Sequence, residues 1–182
     1  MKNTIFISGV HGVGKTYYTN LLVDKYKKFE RISASSLIKE DIDMANENKQ
    51  VEDIDYNQRI MIKNFTKLRN NSESLLLFDG HFVLIDKNEM ICDINIDVFR
   101  SLYFSEIILF IDNVENIYAR LKRRDINSNL DIMKLSNMQE REIFVAQNTA
   151  RQLNVLLHII NIEQQTEKDI LLQLEKILSK YL

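Results

Sequence analysis

Residues 9–16 read Gly-Val-His-Gly-Val-Gly-Lys-Thr, and no other stretch constrains the fold as strongly. The spacing G-x-x-x-x-G-K-[ST] is that of a phosphate-binding loop. Such a loop sits between a buried strand and the start of a helix. Its glycines let the backbone wrap around phosphate oxygens with N–H groups pointing inward, and the helix dipole adds positive potential. Both flanks are present: Thr4-Ile5-Phe6-Ile7-Ser8 reads as a buried strand, and a helical pattern begins at Lys15. The chain has four glycines and no proline, and three of the glycines are Gly9, Gly12 and Gly14. Glycine is therefore concentrated at this loop. His11 and Val13 belong to the same cradle through their backbone, Lys15 supplies a cation for the β/γ-phosphates, and Thr16 a hydroxyl for Mg²⁺.

The remaining pattern predicts an α/β fold. Tyr18, Leu21, Leu22 and Tyr26 give a first helix to about Lys28, and Arg31-Ile32-Ser33 a short strand. Ser33, Ser35 and Ser36 mark a turn and helix start. Ile54, Met61, Phe65 and Leu68 lie on one face of a further helix, and Ser74 to Phe78 form an apolar strand. Lys87 to Asp97 read as loop, Asp97 to Leu102 as a short helix, and Ile107 to Ile111 as the fourth strand. Asp112 with Glu115 reads as a capping pair for the next helix. Leu135, Met138, Val145, Ala146, Thr149 and Leu153 share a face of a long helix. Val155 to Ile162 is the fifth strand, and Thr166 with Asp169 caps a last helix. Five apolar strands alternating with helices, without period-two alternation, mean a parallel sheet covered on both faces. The expectation is a three-layer P-loop kinase fold over residues 1–182 as one domain, with an acceptor-binding insertion at 33–71 and a lid at 120–132.

A phosphate loop needs a partner acid at the end of a neighbouring strand, to hold Mg²⁺ or its water. Two apolar runs end in one, at Asp79 and Asp112. The helix cap accounts for Asp112, so Asp79 is assigned to the metal with Thr16, and Gly80 beside it is read as leaving backbone room for a ligand. His81 lies two residues on and can share a face with Asp79. Arg120, Lys122, Arg123 and Arg124 form a basic cluster suited to neutralising a migrating phosphoryl group. Arg59 is the acceptor-phosphate candidate, with Arg141 as a further flanking arginine. His158 lies in an apolar run and is expected to pack in the core.

Some classes are disfavoured. A formal net charge of -2 gives no basic footprint for strong binding of duplex nucleic acid. Cys92 is the only cysteine, so neither an internal disulfide nor a cysteine zinc cluster can form. No apolar run reaches the roughly 18 residues that span a bilayer, and no export signal precedes the loop, so a cytoplasmic location without membrane attachment is expected.

Residues 5–16 resemble the start of the small archaeal-type and nuclear adenylate kinases. In that family a strand ends in Asp-x-His, as at Asp79-Gly80-His81, and Tyr118 to Arg124 is similar to the family's Tyr-x-Arg-Leu-x-x-Arg lid segment, with Asn127 also fitting. Glu142-Ile143-Phe144 recurs in the helix after the lid. The resemblance implies transfer of phosphate from ATP to a nucleoside monophosphate, AMP favoured, with Mg²⁺, and ATPase activity alongside. It implies ATP at Gly12, Gly14, Lys15 and Thr16, phosphate handling by Arg120 and Arg124, and a catalytic-site role for His81. His11 replaces the family's usual proline. Tyr17 replaces a small hydroxyl residue that helps hold the α-phosphate. The alternatives are a nucleotide-dependent ATPase or binding protein read by a macromolecular partner, and a kinase whose acceptor is a small hydroxyl metabolite or a nucleic-acid end.

Overall fold

A computed structural model describes residues 4–38, 54–124 and 130–182. Its centre is a five-stranded parallel sheet in the order β2-β3-β1-β6-β7, built from Phe29–Ser33, Leu75–Asp79, Thr4–Ser8, Glu106–Ile111 and Leu156–Asn161 respectively. The helices around it are α1 (Lys15–Lys25), α2 (Ile54–Asn71), α3 (Ile96–Leu102), α4 (Val114–Arg124), α5 (Ile132–Leu153) and α6 (Glu167–Leu178). This is the expected P-loop α/β arrangement. The middle strand β1 is buried at every position, and so are the first five residues of β6, as strands covered on both faces require.

The sheet fixes where the site lies. β1 pairs with β3 on one side and β6 on the other, so the chain reverses its direction of winding beside the loop that follows β1. Ligands in open parallel sheets bind at the carboxyl ends of strands at such a switch point. The register sets Asp79 opposite Ile7 and Ser33, and the backbone N–H of Gly80 donates to the Ile7 carbonyl at 3.0 Å. Beneath this end, Phe6, Phe78, Phe82, Phe99 and Phe104 form one aromatic cluster, with ring centroids of Phe6 5.0–5.7 Å from the other four.

Three local readings differ from the structure. The stretch read as loop from Lys87 contains half of an antiparallel hairpin, β4 (Val83–Ile85) with β5 (Ile91–Asp93). Three-residue strands carry no periodicity, and the turn is organised by the Asp86 carboxylate, which accepts from Asn88 and Met90 N–H at 2.8 Å each. Asn113, not Asp112, caps α4: its side chain accepts from the Glu115 N–H at 2.8 Å. His158 is only half buried, and its Nε2 lies 2.7 Å from Oε2 of the buried Glu106. The capping box of α6 is as expected, with Thr166 and Asp169 reciprocally bonded. Helices α3 and α5 end on Tyr103 and Asn154 in the left-handed region, at φ 49° and 52°.

Candidate active site

The loop has the strained geometry its glycines permit. Gly9 has φ 134°, and a Cβ there would lie 2.5 Å from the carbonyl oxygen of Phe110. Gly12 has φ 82°, and a Cβ would meet Leu121 Cγ at 2.6 Å. Both positions exclude any side chain, because backbone angle and space forbid it together. Gly80 differs. Its φ is not left-handed, and the place of a Cβ is crowded by the Phe6 and Phe78 rings at 3.0 and 3.3 Å. Aromatic packing therefore accounts for this glycine, although it also lines the cavity.

Lys15, 7% exposed, donates from Nζ to the Gly9 carbonyl at 2.6 Å and lies 3.9 Å from Asp79 Oδ1. Burial lowers its ammonium below the ordinary lysine range. Thr16 Oγ1 donates to Asp79 Oδ2 at 3.3 Å, so β3 and the start of α1 bring together a hydroxyl and a carboxylate. Among the described residues no cluster of three His, Cys, Asp or Glu side chains could hold a metal. A Thr–Asp pair beside a phosphate seat nevertheless fits Mg²⁺, which keeps waters and takes few protein ligands.

The expected phosphate-handling arginines lie on one helix. Arg120 Nε donates to the Gly12 carbonyl at 2.9 Å, while its Nη2 pairs with the nearly buried Asp112 carboxylate. Asp112 thus fixes an arginine onto the loop. Arg124, one turn on, lines the same cavity as Arg120, whereas Lys122 and Arg123 do not. Residues 120–124 of the expected lid are the end of α4; its residues 125–129, including Asn127, lie outside the described residues. Arg141 is bound to Asp93 on the hairpin at 2.8 and 2.6 Å. Tyr17 is 53% exposed, and its hydroxyl is bonded to Glu167 on α6.

One cavity of about 690 Å³ takes in most of these groups. It runs from Gly12, Lys15 and Thr16 past Asp79 and His81 into an apolar chamber walled by Met61, Leu84, Ile94, Val98, Phe99 and Leu102. Arg59 does not reach it and is exposed on α2; the adjoining Gln58 does, and so do Ser33 and Ser35. Of the expected insertion at 33–71, residues 39–53 lie outside the described residues.

Sequence reasoning passed over two polar residues. Arg31, read only as part of a strand, reaches Asp79 at 2.6 Å. Glu142, known there only from its resemblance block, is 1% exposed and binds three backbone N–H groups. Its Oε1 accepts from Gly9 at 3.1 Å and Phe82 at 3.0 Å, and its Oε2 from Phe82 and Val83 at 2.9 Å each. This one carboxylate ties the first glycine of the loop to the chain just past His81. Burial pushes its carboxyl up to about 7, against the pull of those N–H groups and of Lys15. The signal was available: Glu142 falls four residues after Met138 and four before Ala146, on the apolar stripe of α5.

The rings of His11 and His81 pack against each other at a tilt of 43° with centroids 4.2 Å apart, so the histidine of the loop meets the one after Asp79. Desolvation of the ring, then Lys15 and Arg124, lower His11 to about 4, although the residue as a whole is exposed. Burial, then Lys15 and His11, hold His81 well below the ordinary histidine range. Both imidazoles are neutral at pH 7. The folded values lie below 6.5, so the unfolded chain takes up protons first, and stability from this pair is lost as pH falls from 6.5 towards about 4. Urea midpoints measured across that window should fall with pH, and the fall should be shallower in His81→Gln. An unchanged slope in the variant would show that the pair does not titrate this way.

A sequence profile described as AAA domain matches residues 8–139, well over half of the chain. The chain belongs to the AAA-domain family. This is a P-loop family, so the glycine-rich loop of this AAA domain is a nucleotide-binding element. The matched span begins at Ser8 and includes Asp79, Arg120 and Arg124. It ends before Glu142 and β7. No curated protein sequence matches the chain. Among the described residues, no helix of the domain is long and apolar enough to cross a membrane.

Proposed function

We propose that this AAA domain is a P-loop phosphotransferase that moves the γ-phosphate of ATP to a nucleoside monophosphate, with AMP the favoured acceptor. The observation that carries this reading is the continuity of the cavity. A hydrolase needs room for a water beyond the γ-phosphate; here the space continues past Asp79 into a chamber whose walls combine Gln58 and two serines with apolar side chains. That combination suits a planar base with a few polar edges.

Lys15 and the loop N–H groups bind the β/γ-phosphates, and Arg120 and Arg124 bring positive charge from the opposite side. Thr16 and Asp79 would hold Mg²⁺, which when bound would neutralise negative charge on the phosphates. His11 and His81, both neutral, can donate or accept a hydrogen bond at the loop without adding charge. Catalysis is positioning and charge neutralisation, with little covalent chemistry for the protein to supply. The test is ADP formation from ATP in the presence of AMP, CMP, UMP, GMP and their deoxy forms. Turnover that none of them raises above plain hydrolysis sinks the kinase reading.

One observation favours a second reading, a nucleotide-dependent ATPase or binding protein recognised by a macromolecular partner. Tyr17 gives its hydroxyl to Glu167 instead of the loop, so nucleotide contact at that position is weaker than a small hydroxyl would give. A partner captured by the domain only in the presence of ATP would support that alternative.

A further inference from the structure

Arg31 occupies the position that the metal would need. Its Nη2 lies 2.6 Å from Asp79 Oδ2 and 3.0 Å from Thr16 Oγ1, the two oxygens that fit Mg²⁺. A guanidinium nitrogen and a divalent cation cannot share them, because Mg²⁺ needs its oxygens at about 2.0–2.1 Å and excludes a second cation from between them. The remainder of Arg31 is under-used. Its Nε is buried and has no hydrogen-bond partner. The side chain also lines the cavity on the acceptor side, near Ser33, Ser35 and Gln58. The other cationic residues of the described wall are engaged with the loop or belong to α4: Lys15 bonds Gly9 and Val10 carbonyls, Arg120 holds Gly12, and Arg124 stands at the mouth by His11.

We propose that Arg31 is a two-position residue. In one position it latches the metal ligands Thr16 and Asp79. In the other, displaced when Mg²⁺ is held there, it turns into the chamber and anchors the anionic group of a phosphomonoester acceptor. A guanidinium suits both tasks, since its planar fork pairs equally with carboxylate and phosphate. The proposal rests on the phosphotransferase reading and adds a coupling to it: Mg²⁺ entry and acceptor binding favour one another, because each removes the cost of displacing or orienting the same side chain.

The test measures binding rather than turnover, in the wild type, Arg31→Met and Arg31→Lys. Mg²⁺ is titrated against a fluorescent non-hydrolysable ATP analogue, and AMP and adenosine are titrated calorimetrically with and without Mg²⁺. With the latch gone, Arg31→Met should need about tenfold less Mg²⁺ for half-saturation and should bind AMP about tenfold more weakly, with adenosine unchanged. Arg31→Lys should fall between on both counts. Far-UV circular dichroism identifies a variant that fails to fold, in which case the lysine variant carries the comparison. A Mg²⁺ requirement unchanged or raised in Arg31→Met overturns the latch. AMP binding unaffected by the substitution, or AMP and adenosine weakened alike, overturns the anchor. A wild type that binds no nucleotide with Mg²⁺ overturns the phosphotransferase reading itself, and the proposal falls with it. Acceptor specificity failing in turnover while these shifts hold would sink only the AMP assignment.

Discussion

Glu142→Ala should lower the free energy of unfolding by about 3–5 kcal/mol, a large part of the ~5–15 kcal/mol typical of a domain this size. The substitution leaves three N–H groups, of Gly9, Phe82 and Val83, without the acceptor they share. Buried donors left unmade are costly, and the space vacated by a fully buried side chain adds to the loss. Glu142→Gln keeps the shape but turns an amide NH₂ towards one of those donors, so an intermediate loss is expected. Nucleotide affinity should fall as well, because Gly9 opens the phosphate loop. The dependence on pH carries a sign of its own. The folded carboxyl is raised to about 7, so between 4.5 and that value the native chain holds a proton that the unfolded chain has released. Its contribution to stability therefore falls as pH rises through the window, opposite to the histidine pair. Stability of Glu142→Gln should consequently rise more steeply with pH than that of the wild type. Chemical denaturation at several pH values checks both points, and a loss below about 1 kcal/mol in Glu142→Ala would show that the three N–H groups find other partners.

Lys15→Met should have the largest functional effect with the smallest structural one. The ammonium is the buried cation at the head of the loop, and its removal should lower nucleotide turnover by about 10²–10³-fold or more, as loss of one preorganised charge typically does. Stability should stay level or rise. A buried charge is costly to desolvate, and methionine fills a similar volume without that penalty. The affected partners are the carbonyls of Gly9 and Val10 and the Asp79 carboxylate, which keeps its pairing with Arg31. A thermal midpoint at or above that of the wild type, together with abolished turnover, is the expected pair of results. Turnover retained within tenfold would remove Lys15 from the catalytic assignment.

What was legible in the sequence follows from which interactions leave a residue pattern. The phosphate loop is legible because its backbone angles can be met only by glycine, and glycine appears in the alphabet. The five strands are legible because a doubly covered parallel sheet demands continuous apolar runs. Asp79 stood out as an acid ending such a run. Glu142 and Arg31 were not legible because their partners are not named by sequence: one binds backbone N–H groups contributed by two distant segments, the other crosses from β2 to β3 at a register the sequence does not state. Arg59 has a place in the expected acceptor region, but helix phase, which the apolar positions alone do not fix at that turn, sets Gln58 inward and Arg59 out. The Asp112 cap failed by one residue, since Asn113 and Asp112 both accept hydrogen bonds and only their backbone positions distinguish them.

The concentration of glycine at the nucleotide loop has an engineering consequence elsewhere. Among the described residues, four other positions lie in the left-handed region without glycine: Glu89, Tyr103, Asn154 and Gln164, with φ between 49° and 61°. Left-handed backbone costs an L-residue roughly 1–2 kcal/mol, less for asparagine. Tyr103 recovers some of this through the Arg69 guanidinium against its ring, and Glu89 through Lys134. Gln164 is exposed and sits in the turn between β7 and α6. The domain therefore holds a reserve of thermostability outside its nucleotide site, reachable by one codon change to glycine in that turn.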